Sequence, residues 1–111
     1  MKLLVYVMDK TELLEEFLHE LKENDIKGAT ILNSTGMAKK LIQNGDMEFI
    51  GSLKTLFENP RKDSYVILFA LPKEKVATVY KVIDNVCGDL SEPNSGIAFT
   101  LSIDEIKGNI L

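Results

Sequence analysis

Four short apolar runs along the chain have the length and composition of β-strands. The first is Lys2–Met8 (KLLVYVM), in which residues 3–8 are all apolar. Both faces of such a strand would be apolar, which is typical of a strand covered on both faces. The other predicted strands are residues 29–33 (ATILN), 64–71 (SYVILFAL) and 97–103 (IAFTLSI). Residues 64–71 form the most apolar run, so we predict that this strand is central in the sheet.

An amphipathic helix is predicted directly after the first strand. Asp9, with Glu12 three positions later, matches a capping box that opens a helix. Apolar residues then recur at helical spacing, at Leu13, Leu14, Phe17, Leu18 and Leu21. The glutamates of this segment fall on the opposite face, which we interpret as a solvent-exposed side of the helix.

A second amphipathic helix is predicted after residue 71. Pro72-Lys73-Glu74 suits the first turn of a helix, where proline needs no hydrogen-bond donor. The predicted buried stripe consists of Val76, Val79, Tyr80, Ile83, Val86 and Cys87. Gly88 and the residues up to Gly96, which include Pro93, form a loop before the last strand.

The connection between the second and third strands, residues 37–62, is long enough to contain structure of its own. Met37, Lys39, Lys40, Leu41 and Ile42 predict a short helix that ends at Asn44-Gly45. A second short helix is predicted over residues 48–58, where Phe49, Ile50, Leu53, Leu56 and Phe57 recur at helical spacing before Asn59-Pro60. We favour packing of these residues on the protein's own core over an apolar docking helix.

The order β-α-β, long connection, β-α-β predicts one domain over residues 1–111 with an α+β, ferredoxin-like sandwich. In this fold, two helices cover one face of an antiparallel four-stranded sheet. The opposite face then needs a cover, and an oligomer partner would supply it.

Charge and composition bear on partners and location. The chain has 111 residues and a net charge of −4, without the basic excess that a nucleic-acid binder uses. Cys87 is its only cysteine, which forbids an internal disulfide and fits a reducing compartment. No segment is long and apolar enough for a membrane span. We therefore expect a cytoplasmic protein that does not span a membrane and does not bind nucleic acid.

The residues that enzymes use for acid-base, nucleophilic or metal chemistry are scarce. His19 is the only histidine, and its position off the apolar stripe predicts an exposed side chain. One histidine and one cysteine cannot form a zinc site. No phosphate-loop or dinucleotide glycine pattern occurs. We therefore expect no enzymatic activity, no metal and no certain cofactor.

Short sequence motifs between the predicted strands and helices resemble those of the PII family of nitrogen-regulatory signal-transduction proteins. Gly28-Ala29-Thr30 matches the family's Gly-x-Thr, and Gly36 falls at the root of its long loop. Pro72-Lys73-Glu74 follows the apolar strand, as the family's helix start does. Gly96-Ile97-Ala98-Phe99 stands where the family has Gly-Lys-Ile-Phe. The resemblance covers nearly the whole chain outside residues 37–62. It implies a homotrimer that signals to a protein target and binds adenine nucleotides in clefts between subunits.

The resemblance places the ligand between two groups of residues: Gly28, Thr30, Ser34, Thr35 and Gly36 on one side, and Ser95, Gly96 and Ile97 on the other. The phosphate end departs from the family, because Ala38 replaces a glycine, Ile97 replaces the lysine, and Gly108 and Ile110 stand where the family has arginines. AMP or ADP is therefore the expected effector, in preference to ATP. Lys39 and Lys40 are candidates for partial compensation.

Two other functions remain open. The chain could be a trimeric structural or interaction module that has lost nucleotide binding. It could also be a ferredoxin-like RNA binder, with Tyr65 and Phe69 as exposed aromatics on the central strands, although no basic residues accompany them. Gly28 is equally explained as a turn glycine, and Thr30 as a β-branched strand residue.

Overall fold

A computed structural model describes residues 1–43, 63–92 and 95–108 of the chain. In chain order, the elements are β1 (Lys2–Met8), α1 (Leu14–Glu23), β2 (Thr30–Ser34), α2 (Met37–Gln43), β3 (Ser64–Leu71), α3 (Lys73–Cys87) and β4 (Ile97–Ser102). The predicted short helix after β2 is confirmed as α2. The helix predicted over residues 48–58 lies outside the described residues.

The four strands form one antiparallel sheet in the order β2-β3-β1-β4. Each β-α-β unit is split, because β3 lies between β1 and β2, and β1 lies between β3 and β4. This is the ferredoxin-like arrangement. The predicted fold class is therefore confirmed, and so is the central position of residues 64–71.

The core lies between the sheet and the pair α1 and α3. Leu4, Tyr6 and Met8 of β1 are fully buried, as the two-residue period of a strand requires for one covered face. The rings of Tyr6 and Phe17 meet edge to face, with centroids 5.4 Å apart. Other buried apolar residues are Leu21, Ile26, Ile67, Phe69, Leu71, Val79, Val82, Ile83 and Cys87.

The helix starts differ from the predictions by a few residues. A 3-10 turn, Thr11–Leu13, precedes α1, and its N-cap is Lys10, whose side chain makes no capping hydrogen bond. Pro72 is the N-cap of α3 and not its first helical residue. Within α3, Val82 is buried, whereas Tyr80 is 36% exposed. Val79, Val82 and Ile83 follow the 3.6-residue period, so Tyr80 falls at the edge of the stripe.

The buried hydroxyl of Tyr6 is an unusual feature of this core. It is fully enclosed, lies beside the Cys87 thiol, and has no partner with good hydrogen-bond geometry among the described residues. Burial raises the pKa of Tyr6 well above its ordinary value of 10.0, with Cys87 adding to the shift. Burial likewise raises the pKa of Cys87 above 9.0. Both groups are therefore held neutral in the folded protein.

We predict that alkaline pH destabilises the fold through these two groups. Each group ionises more readily in the unfolded chain. The free energy of unfolding is therefore unaffected by these groups below pH 9 and falls as the pH rises through 9 and 10. The loss approaches about 1.4 kcal/mol per pH unit for each group. Urea unfolding at pH 8 to 11 measures it. Tyr6→Phe should remove the tyrosine contribution, whereas Tyr80→Phe, on an exposed ring, should leave the slope unchanged.

Candidate functional site

The residues predicted to bind a ligand lie at two opposite edges of the sheet. Gly28 precedes β2, Thr30 and Ser34 belong to it, and Gly36 follows it, so this group follows one edge strand. Ser95 and Gly96 precede β4, the other edge strand, and Ile97 is its first residue. With β3 and β1 between them, the two edges are about 14 Å apart, three strand spacings.

The strand register places most of these residues at one end of the sheet. Leu32 pairs with Val66, Val66 with Val7, and Val7 with Ile97, so these four side chains form one row across the sheet. Ser34 and the residues after it continue beyond that row at one edge, and Gly96 and Ser95 continue beyond it at the other. A single chain does not bring the two groups together, but two neighbouring copies could.

The group at the β2 edge is tied to the start of β3. The hydroxyls of Ser34 and Ser64 share a hydrogen bond of 2.7 Å. Lys39 Nζ donates to Asp63 Oδ1 at 2.8 Å, and the Lys39 side chain is only 19% exposed. Lys39 is therefore engaged inside the chain and is a poor candidate for a phosphate ligand, which leaves the exposed Lys40 for that role.

The group at the β4 edge is shaped by close packing. The Ser95 side chain is buried and donates a hydrogen bond of 2.5 Å to the carbonyl of Glu92. Gly96 has a φ of +106°, and a Cβ atom there would collide with the carbonyl oxygen of Val7. Packing thus accounts for Ser95 and Gly96 without a ligand. Only Ile97 of this group presents its side chain to the surface, with 58% exposed.

The sheet face opposite α1 and α3, here called the open sheet face, is uncharged over all four strands and mostly apolar. Strand pairing and alternation assign to it Leu3, Val5, Val7, Thr30, Leu32, Ser34, Ser64, Val66, Leu68, Ala70, Ile97, Phe99 and Leu101. None of these residues is charged. Leu32, Phe99 and Leu101 are 42 to 53% exposed. Contiguous apolar surfaces of this kind mark interaction sites.

The sequence carried a signal for this surface. Ile97, Phe99 and Leu101 alternate along β4, which predicts one apolar face, but the period does not say which side the helices cover. The RNA-binder alternative needs Tyr65 and Phe69 to be exposed, but both lie on the side of β3 that the helices cover. Phe69 is fully buried, and Tyr65 packs on the core beneath the helices. The aromatic platform proposed for an RNA binder is therefore missing from the central strands of this sheet.

The histidine, cysteine and carboxylate side chains of the described ranges form no metal-binding group. The predicted exposure of His19 is confirmed: its side chain is 66% exposed, and Nε2 lies 3.8 Å from Glu23 Oε1. Among residues 1–43, 63–92 and 95–108, no three histidines, cysteines or carboxylates meet in a group that could hold a metal. No helix in the same ranges is long and apolar enough to cross a membrane.

No protein-family model matches this chain, and no curated protein matches it. The ferredoxin-like sandwich is shared by proteins of many functions, so the fold alone does not assign one.

Proposed function

We propose that this protein is a PII-like regulatory module that forms a homotrimer, binds a small effector between subunits and signals to a protein partner. The open sheet face is the observation that carries the proposal. It needs a cover, and a surface without charged residues is well suited to contact a second copy of itself. The number of subunits, three, comes from the resemblance of the short sequence motifs to the PII family.

The positions of the two ligand-binding groups support a ring of subunits. They occupy opposite edges at the same end of the sheet, with Ser34 at one edge and Ile97 at the other. A ring uses a head-to-tail contact, in which one patch of each subunit meets a different patch of the next. Such a contact brings the β2 edge of one copy to the β4 edge of its neighbour and completes the effector cleft.

The effector is proposed to be AMP or ADP. Ile97 is apolar and exposed where the PII family carries a lysine, and Lys39 is bound to Asp63. A triphosphate needs several cations or a metal to offset its charge. We expect AMP or ADP to bind at least as tightly as ATP in calorimetry. Tight, magnesium-dependent ATP binding would contradict this expectation.

A substitution that restores the missing cation sharpens this test. Ile97 lies at the start of β4, on the more exposed margin of the open sheet face. In a variant that sedimentation shows to be trimeric, Ile97→Lys should raise ATP affinity by about tenfold, the value of one charge-assisted hydrogen bond. The affinity for AMP should rise less, because AMP lacks the outer phosphates. Equal gains for both nucleotides, or none for either, would show that residue 97 does not lie at the phosphate end of the cleft.

The second candidate is a trimeric structural or interaction module that has lost its ligand. The apolar Ile97 at the predicted phosphate end favours it, and so does the internal hydrogen bond of Ser95. A stable trimer whose melting temperature is unchanged by AMP, ADP and ATP would establish this function in preference to effector sensing.

A further inference from the structure

A groove runs between the C-terminal half of α1 and the edge strand β2, on the face of the sheet that the helices cover. Its volume is about 460 Å³, within the range of small-molecule pockets. The groove exists because the helical layer ends before it reaches β2. Ile67 of β3 is fully buried, whereas its neighbour Ile31 is 38% exposed to the groove.

The lining of the groove is apolar except for two lysines. Its apolar side chains are Leu18, Leu21, Ile26, Ala29 and Ile31, Gly28 adds backbone, and among the described residues only Lys22 and Lys27 bring charge to it. This is notable in a chain with a net charge of −4. A cavity with an apolar floor and only positive charges complements an anion attached to an apolar body.

Both lysines are exposed, and the ion pairs formed beside the groove leave their amines accessible. Lys27 Nζ lies 3.4 Å from Asp25 Oδ1, but both side chains are more than 70% exposed, and an exposed pair of this kind contributes little energy. Asp25 is also shared with Lys75, at 3.9 Å. Glu23, which follows Lys22, is turned towards His19. A ligand carboxylate can therefore compete for both amines.

We propose that this groove binds a small amphiphile with a linear apolar chain and a carboxylate, a medium-chain fatty acid being the simplest example. The chain would lie on Leu18, Ile26 and Ile31, and the carboxylate would contact Lys22 and Lys27. The floor of the groove lies apart from the proposed nucleotide cleft, because Ile31 faces away from the open sheet face, and Gly28 is the residue that borders both sites.

Titration of the full chain with decanoate, followed by amide NMR, tests the proposal. We expect saturable shifts at Ile26, Ala29 and Ile31, and much weaker binding of the cationic decyltrimethylammonium. The double variant Lys22→Glu, Lys27→Glu should reduce decanoate affinity about tenfold, since each reversal removes one attraction and adds one repulsion. The matched control is Lys73→Glu, Lys81→Glu on the exposed side of α3, which should bind like the wild type.

Three results would overturn the proposal. The first is the absence of saturable binding. The second is an equal response to decanoate and to the cationic detergent, or an equal loss in both double variants, because the lysines would then have no specific role. The third is a set of shifts confined to Val5, Phe99 and Leu101, which would show that the probe coats the open sheet face. Dispersed amide spectra of both variants establish that they are folded.

Discussion

Replacing Gly96 with alanine should lower the free energy of unfolding by about 3 kcal/mol or more. Two effects add at this position. The φ of +106° is one that residues with a Cβ rarely adopt, and the new methyl group would meet the Val7 carbonyl. Because Val7 pairs with Ile97, relief of the collision would disturb the pairing of β1 with β4. Urea unfolding of the variant measures the loss.

The control for this prediction is Gly28→Ala. A Cβ atom at Gly28 meets nothing within 4 Å, and its φ is not in the positive range, so the change should stay within about 0.5 kcal/mol. Both glycines are predicted to line the cleft, but only Gly96 has a packing role. A loss of stability in Gly96→Ala alone therefore reports packing and not ligand binding. Wild-type stability in Gly96→Ala would show that the approach to Val7 relaxes without cost.

Replacing Phe99 with lysine should dissociate the proposed trimer. Phe99 lies on the open sheet face, pairs with Val5 of β1 and is 42% exposed in the single chain. Covering it with another copy would bury the lysine charge among apolar side chains, which costs several kcal/mol. A cost of that size corresponds to at least a hundredfold weaker association. Sedimentation equilibrium at micromolar concentration should show trimers for the wild type and monomers for the variant.

Tyr80→Lys is the matched control for this experiment. Tyr80 is 36% exposed and lies on α3, on the helical side of the protein, so its substitution introduces the same charge away from the proposed interface. This variant should remain trimeric. A wild-type protein that is monomeric at micromolar concentration would reject the assembly, and with it the effector cleft between subunits.

The strands were predictable because their signal is local. Runs such as Lys2–Met8 and Ser64–Leu71 are short, apolar and bounded by polar residues, and their observed limits agree with the prediction. The amphipathic period located α1 and α3 in the same way. The helix starts were less predictable, because a capping pattern such as Asp9 with Glu12 also fits the 3-10 turn that precedes α1.

The candidate site was less predictable because it depends on which strands are neighbours. Nothing local in Ser34 or Ile97 states that they lie at the same end of the sheet but at opposite edges. The groove depends on where the helical layer ends, which is a property of packing. Ile31 and Ile67 have the same chemistry, yet one is exposed and the other fully buried.

The position of β1 in the centre of the sheet has a consequence for synthesis on the ribosome. Its two partners are β3 and β4, which begin at Ser64 and Ile97, so both edges of β1 wait for a later part of the chain. At 5 to 20 residues per second, the 55 residues between Met8 and Ser64 take about 3 to 11 s. Throughout that interval, the apolar segment Lys2–Met8 has no partner strand and is exposed to aggregation, which makes it a natural target for chaperones that bind nascent chains.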